Sequence, residues 1–250
     1  MEKKPLLMEN LTWREVEEAV KGGVKTCLIP LGSTEEHGYH LPLYTDTIIA
    51  YEVAVRAASR VEALVAPPLG FGVCRSTAFF PGTLTISLET LKGLLEEICL
   101  SLHRHGLRNL VLVPGHLGAA QLVGLELAAQ KLVRENPGLQ MAIARFPEIL
   151  KEKLGEGVLE DPLDLHAGEV ETSLMLVLRP ELVKMELAEA EHPPLPSHLV
   201  VRNPLRYMKT GVIGDATKAS REKGEAILEA LVSGVVEIVE SLESGENLKS

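Results

Sequence analysis

Apolar runs of strand length alternate with segments of helical period along most of the chain. Lys25 to Leu31 is a short apolar run stopped by Gly32, and Thr47 to Arg60 follows with helical spacing. Ala63 to Pro67 precedes a helix over Ser87 to His105. Its Leu91, Leu94, Leu95, Ile98, Cys99 and Leu102 form one stripe, while Lys92, Glu96, Glu97 and Arg104 form a polar face. Asn109 to Pro114, Leu117 to Arg134 and Gln140 to Phe146 continue the alternation, and a last helix over Ala216 to Leu242 repeats Ile227, Leu231, Val235, Ile238 and Val239. This order predicts an α/β fold, a mostly parallel β-sheet flanked by helices. One domain over 1–250 is expected, with its core about 11–242 and a frayed polar tail at 243–250. The stretch from Glu181 to Thr210, with Pro193, Pro194, Pro196 and Pro204, is too irregular for a routine connection and reads as either a lid or a subunit contact.

Open α/β sheets gather their chemistry outside the carboxyl ends of the strands. Immediately after the first strong strand lie Glu35 and His37, two residues apart, so in extended backbone both side chains leave on one side. They can share one ion or serve two adjacent ones. Asp46 falls at the start of the next helix, where free N–H groups and the helix dipole keep a carboxylate ionised and able to bridge two cations. His116 follows the run Leu110 to Gly115 in the same kind of place, and His166 and Glu171 open another apolar helix. His103, His105, His192 and His198 are read as surface or structural.

These donors are nitrogen and oxygen, which suits Zn, Mn or Fe(II). Two carboxylates and two imidazoles can hold a pair of ions about 3.5–4 Å apart and make hydroxide available near neutral pH. Hydrolysis of an amide then needs a proton for the departing nitrogen, and His166 is the candidate donor because its ordinary pKa lies near working pH. The three cysteines, Cys27, Cys74 and Cys99, have neither ribbon nor disulfide spacing. Cys27 and Cys99 read as core residues, and Cys74 as a nucleophile lacks a visible activating partner.

Charge and composition narrow the partners. With 25 Lys+Arg against 35 Asp+Glu the net charge is -10, and no basic patch is segregated. Nucleic acid and anionic membrane are therefore poor partners and a small-molecule substrate a better one. No signal-like or membrane-spanning apolar run is present, so a cytoplasmic protein is expected.

The segment Gly32-Ser33-Thr34-Glu35-Glu36-His37-Gly38-Tyr39-His40-Leu41-Pro42 with Thr45-Asp46 resembles the signature of the creatininase (creatinine amidohydrolase) family. Phe80-Pro81-Gly82-Thr83, Gly115-His116, His166-Ala167-Gly168 with Glu171-Thr172-Ser173, and Gly214-Asp215 with Glu222-Lys223-Gly224 are similar to later family segments in the same order, from about Trp13 to Gly224. The resemblance implies a three-layer α/β/α fold, two divalent metal ions per subunit with zinc first and Mn or Fe(II) as alternatives, and a homohexamer. It also implies Glu35, His37, Asp46 and His116 as metal ligands with Asp46 bridging, and His166 in the substrate pocket.

Departures bear on the substrate. Many relatives read Gly-His-Gly-Gly-Asn where this chain has Gly115-His116-Leu117-Gly118-Ala119. Creatinine-cleaving members place a ligating Glu two residues after that His, at Gly118 here, so Glu171 is taken as the substitute ligand. Their Trp before the pocket His has no counterpart in Asp161-Pro162-Leu163-Asp164-Leu165, which points to a different small substrate. The implied activity is hydrolysis of a non-peptide C–N bond in a cyclic amide or amidine. The alternatives are a deformylase of a pyrimidine ribotide, with Arg75, Arg202, Arg206 or Lys209 near the metals for the phosphate, a peptide-trimming enzyme of cofactor maturation, and an inactive oligomeric homologue.

Overall fold

The computed structural model describes residues 4–194, 196 and 201–245. Five parallel strands form the central sheet: β1 (Leu6–Leu7), β2 (Thr26–Leu31), β3 (Ala63–Val65), β4 (Asn109–Pro114) and β5 (Gln140–Ile143), in the order β1-β3-β2-β4-β5. Cys27 pairs with Leu64 on one side and with Leu110 on the other. Every residue of β2, β3 and β4 is buried. Strands covered on both faces need no polar alternation, which explains why they read as continuous apolar runs.

The helices are α1 (Trp13–Lys21), α2 (Thr45–Ala58), α3 (Leu88–Arg104), α4 (Ala119–Glu135), α5 (Phe146–Lys153), α6 (Glu169–Leu178) and α7 (Arg221–Ser244). Leu28, Val65, Val111 and Val113 pack with Val53 of α2, Met175 of α6 and Leu231 of α7. Cys27, Ile29, Leu64, Leu110 and Leu112 pack on the other face with Leu91 and Leu95 of α3 and Leu125 of α4. The expected helix–sheet–helix layering is therefore present. Burial at roughly 1.5–3 kcal/mol per large aliphatic side chain anchors the strand ends that carry the polar groups.

Element ends differ from the sequence reading in instructive ways. α2 starts at Thr45, which puts Asp46 inside its first turn. The run from Gln140 divides: β5 stops at Ile143, and Phe146 with Pro147 begins α5, because proline suits a first helical turn and cannot continue a ladder. The C-terminal helix begins at Arg221 and reaches Ser244. Ser220 caps it by accepting from the Lys223 N–H, and Gly245 closes it in the left-handed conformation at φ 67°. The remainder of the expected tail, 246–250, lies outside the described residues.

Part of the 181–210 stretch is also outside them. Its described portion holds β6 (Ala190–Glu191), paired antiparallel with β7 (Gly214–Asp215). The Glu191 carboxylate accepts from the N–H groups of Lys209 and Thr210, each at 2.8 Å, and fastens the two ends together. No described helix is long and apolar enough to cross a membrane.

The chain leaves β2 toward β3 on one side and returns to β4 on the other, so the ends of β2 and β4 form a topological switch point. Glycines let α2 sit directly on those ends. A Cβ at Gly32 would lie 2.4 Å from the Thr47 nitrogen, and one at Gly115 would lie 2.0 Å from the Asp46 carbonyl oxygen.

Candidate functional site

The structure gathers Glu35, His37, Asp46 and His116 beyond the ends of β2 and β4, all buried. Asp46 is central. Its Oδ1 lies 3.0 Å from His37 Nε2, and its Oδ2 lies 3.1 Å from His116 Nδ1. Ser33 Oγ donates to Oδ2 at 2.7 Å and fixes the carboxylate plane. Glu35 Oε2 approaches His116 Nδ1 to 2.8 Å, and Glu171 Oε2 approaches His37 Nε2 to 3.6 Å. One carboxylate thus presents its two oxygens to two different imidazoles, with a second carboxylate beside each.

The backs of both rings are tied to carbonyl oxygens, which only accept. His37 Nδ1 donates to the Glu35 carbonyl at 3.0 Å, and His116 Nε2 donates to the Val73 carbonyl at 3.2 Å. The nitrogen left on each ring faces the carboxylates, the orientation that a metal-ligating histidine takes from its outer partners. The imidazoles answer the acids. Burial works against a charged His37, yet Asp46, Glu171 and Glu35 hold it up to about 10. Glu35 is held down to about 2, His116 outweighing the burial that would raise it. Asp46 is likewise held well below the usual carboxylate range by His37 and His116 against burial. Three carboxylates and two oriented imidazoles in a buried space suit divalent cations, since charges so packed need compensation.

Glu171 and His166 enter from α6. Asp164 prepares that helix: its Oδ1 accepts from the Glu169 N–H at 3.0 Å and its Oδ2 from the Val170 N–H at 2.8 Å. Between them Ala167 adopts φ 51°, the one positive φ at a non-glycine position among the described residues. Its N–H donates to Glu171 Oε2 at 2.6 Å. The His166 ring stands 4.5 Å from that of His37, and its Nε2 lies 2.9 Å from the Glu36 carbonyl oxygen and 3.3 Å from Glu36 Oε1. Burial and His37 press the His166 pKa down, but the Glu36 contact and the carboxylates of Glu35 and Glu171 carry it up to about 9.

Several neighbours were not visible in the sequence. Glu36, read only as part of the motif, touches His166; Thr77 Oγ1 donates to Glu35 Oε1; and His40 Nε2 meets Thr172 Oγ1 at 2.8 Å. A sulfur lies beside the expected nitrogen and oxygen donors: Cys74 stands with Glu35 and His116 so that their candidate ligand atoms fall within 4.8 Å of one another. Cys74 is 1% exposed, and burial, then the Glu35 carboxylate, pushes its thiol up to about 12, which disqualifies it as a free nucleophile. Cys27 and Cys99 are core residues as expected. Of the histidines set aside, His103 bonds the Leu107 carbonyl, His192 pairs with Asp161 at 2.9 Å, and His198 lies outside the described residues.

A cavity of about 340 Å³ opens on the cluster, lined by Glu35, Arg75, Thr77, His116, His166 and Glu171 among others. A more apolar one of about 830 Å³ adjoins it, sharing Leu117, Leu165, His166 and Glu171 and reaching Phe146 and Leu174. Of the basic residues considered for phosphate recognition, Arg75 lines the smaller cavity; Arg202, Arg206 and Lys209 line neither.

Comparison with known proteins bears on the family and the fold. The sequence model described as creatinine amidohydrolase matches residues 9–239. Creatinine amidohydrolase of Pseudomonas putida is 33% identical over 94% of this chain and 96% of its own. A mycofactocin precursor peptide peptidase of Mycolicibacterium smegmatis is 30% identical over 90% of this chain and 88% of its own. Among solved structures, a creatininase variant of Zn-Zn type superposes with a TM-score of 0.80 at 32% identity, covering 96% of this chain and 98% of that one. A manganese creatininase superposes with a TM-score of 0.78 at 31% identity, covering 95% and 98%. With the fold, the ordered motifs and these likenesses in agreement, the chain belongs to the creatininase family of amidohydrolases.

Proposed function

We propose that this protein is a dinuclear metal-dependent hydrolase of a non-peptide C–N bond in a small amide or cyclic amidine. The observation that carries the reading is Asp46, whose two oxygens address His37 and His116 separately. Glu35, Asp46 and His116 would hold one ion, and His37, Asp46 and Glu171 the other. Zinc is the first choice, with manganese or Fe(II) as alternatives. Such a pair, when bound, lowers the pKa of water from 15.7 to roughly 7 and polarises a carbonyl oxygen.

The chain's own groups supply the remainder. Ser33 keeps the Asp46 carboxylate in its bridging orientation. Glu171 takes the place of the Glu that creatinine-cleaving relatives carry at the position of Gly118, where a Cβ would stand 2.7 Å from His116 Nε2. His166, fixed through Nε2 by Glu36, would deliver a proton to the departing nitrogen through Nδ1, for which no partner is seen among the described residues. The apolar cavity beyond His166 has room for a substituent larger than the creatinine ring. Exposed Tyr39, Tyr44, Phe71, Phe79 and Leu84 offer apolar surface for self-association, in keeping with a homohexamer.

A second reading, a deformylase acting on an anionic substrate, is favoured by Arg75, which faces the cavity and has no ion pair among the described residues. Metal analysis together with assays on creatinine, a formamidopyrimidine ribotide and short peptides separates these readings. Near two equivalents of metal per chain and turnover of a non-peptide amide are expected. Absence of bound metal after reconstitution, or cleavage of peptides alone, overturns the proposal.

A further inference from the structure

Cys74 is the one thiol placed among charged donors. The other two cysteines sit in the aliphatic packing between β2 and α3, where a thiol behaves as a small hydrophobe. Cys74 instead lies in the loop after β3, with its sulfur within 4.8 Å of a Glu35 oxygen and a His116 nitrogen. That loop is fixed from every side. The Val73 N–H donates to Gln121 Oε1 at 2.9 Å, the Val73 carbonyl accepts from His116 Nε2, and the Cys74 N–H donates to Thr85 Oγ1 at 3.0 Å. Gly72 accepts from the Ile86 N–H at 3.0 Å. The hydrogen bond that orients His116 therefore also positions the residue before Cys74, so imidazole and sulfur are aimed by one piece of backbone.

We infer that Cys74 is a sulfur ligand of the ion held by Glu35, Asp46 and His116, and that it gives this position a preference for zinc over manganese. The inference rests on the dinuclear reading above and adds to it a donor and a selectivity. On binding, the S–H bond breaks, its proton passes to solvent, and both electrons stay on sulfur, one pair being shared with the ion. No oxidant is consumed. A thiolate is a soft donor that favours zinc and cobalt, whereas manganese prefers oxygen ligands. The group around the other position, His37, His166 and Glu171, contains no thiol and leaves that position free of this bias.

Cobalt(II) makes the sulfur visible without reference to activity. Titration of the metal-free, full-length protein should produce a near-ultraviolet sulfur-to-cobalt charge-transfer band together with the visible cobalt bands. Cys74→Ser and Cys74→Ala should keep the visible bands and lose the near-ultraviolet one, and in competition their zinc-over-manganese preference should fall roughly 10-fold or more. Circular dichroism confirms that each variant is folded, and the wild-type spectrum decides the matter even where a variant is not. Cobalt loading without the band, or a band that survives in both variants, overturns the role of Cys74 while leaving the metal centre intact. Failure of the wild type to take up cobalt overturns the metal centre and this inference with it.

Discussion

The two halves of the cluster are built differently. Glu35, Cys74 and His116 stand on strand ends and on a loop whose backbone polar groups are held by α4 and by Thr85; their exposures are 3%, 1% and 6%. His166 and Glu171 stand instead at the start of α6, beside a residue in a left-handed conformation and against the larger cavity, and meet buried His37 there. The first half has donors whose every support is fixed. In the second, His166 and Glu171 depend on one short turn, Asp164 to Gly168, while His37 is held by the Glu35 carbonyl. Rigid, enclosed donors suit holding an ion, and a cavity-facing, strained turn suits the group that must meet substrate. Asp46 joins the halves, so it is the residue whose loss should fail both.

That gives the largest expected effect. Asp46→Asn should remove both ions and reduce hydrolysis to background, measured by elemental analysis and turnover; retention of full metal and rate would falsify the bridging role. His166→Ala should separate the halves. It should leave metal content unchanged and slow turnover by roughly 10²–10⁴-fold, the usual contribution of a positioned acid or base. Loss of metal in that variant would make His166 a ligand rather than a proton donor.

Protons report on the centre next. The surrounding carboxylates raise the pKa of His37 to about 10 and raise that of His116 as well, so the proposed binding of an ion is expected to displace protons from them. Calorimetry in buffers of different ionisation heat should show proton release on metal binding, with affinity rising with pH. The sign for stability follows from the same groups. The contribution of His37 is complete below about 6.5 and is lost as pH rises through about 10, whereas that of Glu35 is complete above about 4.5 and is lost as pH falls through about 2. The chelated protein should therefore melt at progressively lower temperature on the alkaline side, and metal should flatten that slope. An apo melting temperature that climbed steadily from pH 7 to 9 would contradict this.

The contrast between the halves also explains what could be read beforehand. Glu35, His37, Asp46 and His116 were legible because each follows a buried strand or opens a helix, places that continuous apolar runs mark in the sequence. Glu171 was read as the substitute ligand from a gap, the missing acid at Gly118. Cys74 was not, since its place depends on Gln121 and Thr85, contacts separated by 48 and 11 residues, and no periodicity encodes them. Glu36 escaped for a related reason: only the packing of the turn at His166 against the first motif, 130 residues away, shows its partner. The last helix was read as starting at Ala216, whereas its Ser220 cap, rather than the apolar stripe, sets the boundary at Arg221.

The smallest expected effect lies at Ala167. An alanine at φ 51° carries strain of roughly 1 kcal/mol that glycine would not. Glycine in turn loses about 0.4–1 kcal/mol through the freer unfolded chain, so Ala167→Gly should change the melting temperature little. A β-branched residue has no such tolerance. Ala167→Val should tilt the turn, move the N–H that holds Glu171 Oε2 and lower both turnover and the occupancy of the ion near His37. Glu35, Cys74 and His116 take no hydrogen bond from this turn among the described residues. In that variant one equivalent of metal should therefore remain, detectable by elemental analysis, with any cobalt–sulfur absorption unchanged. Equal loss of both equivalents would mean that the two halves form one cooperative unit, and the division drawn between them would not hold.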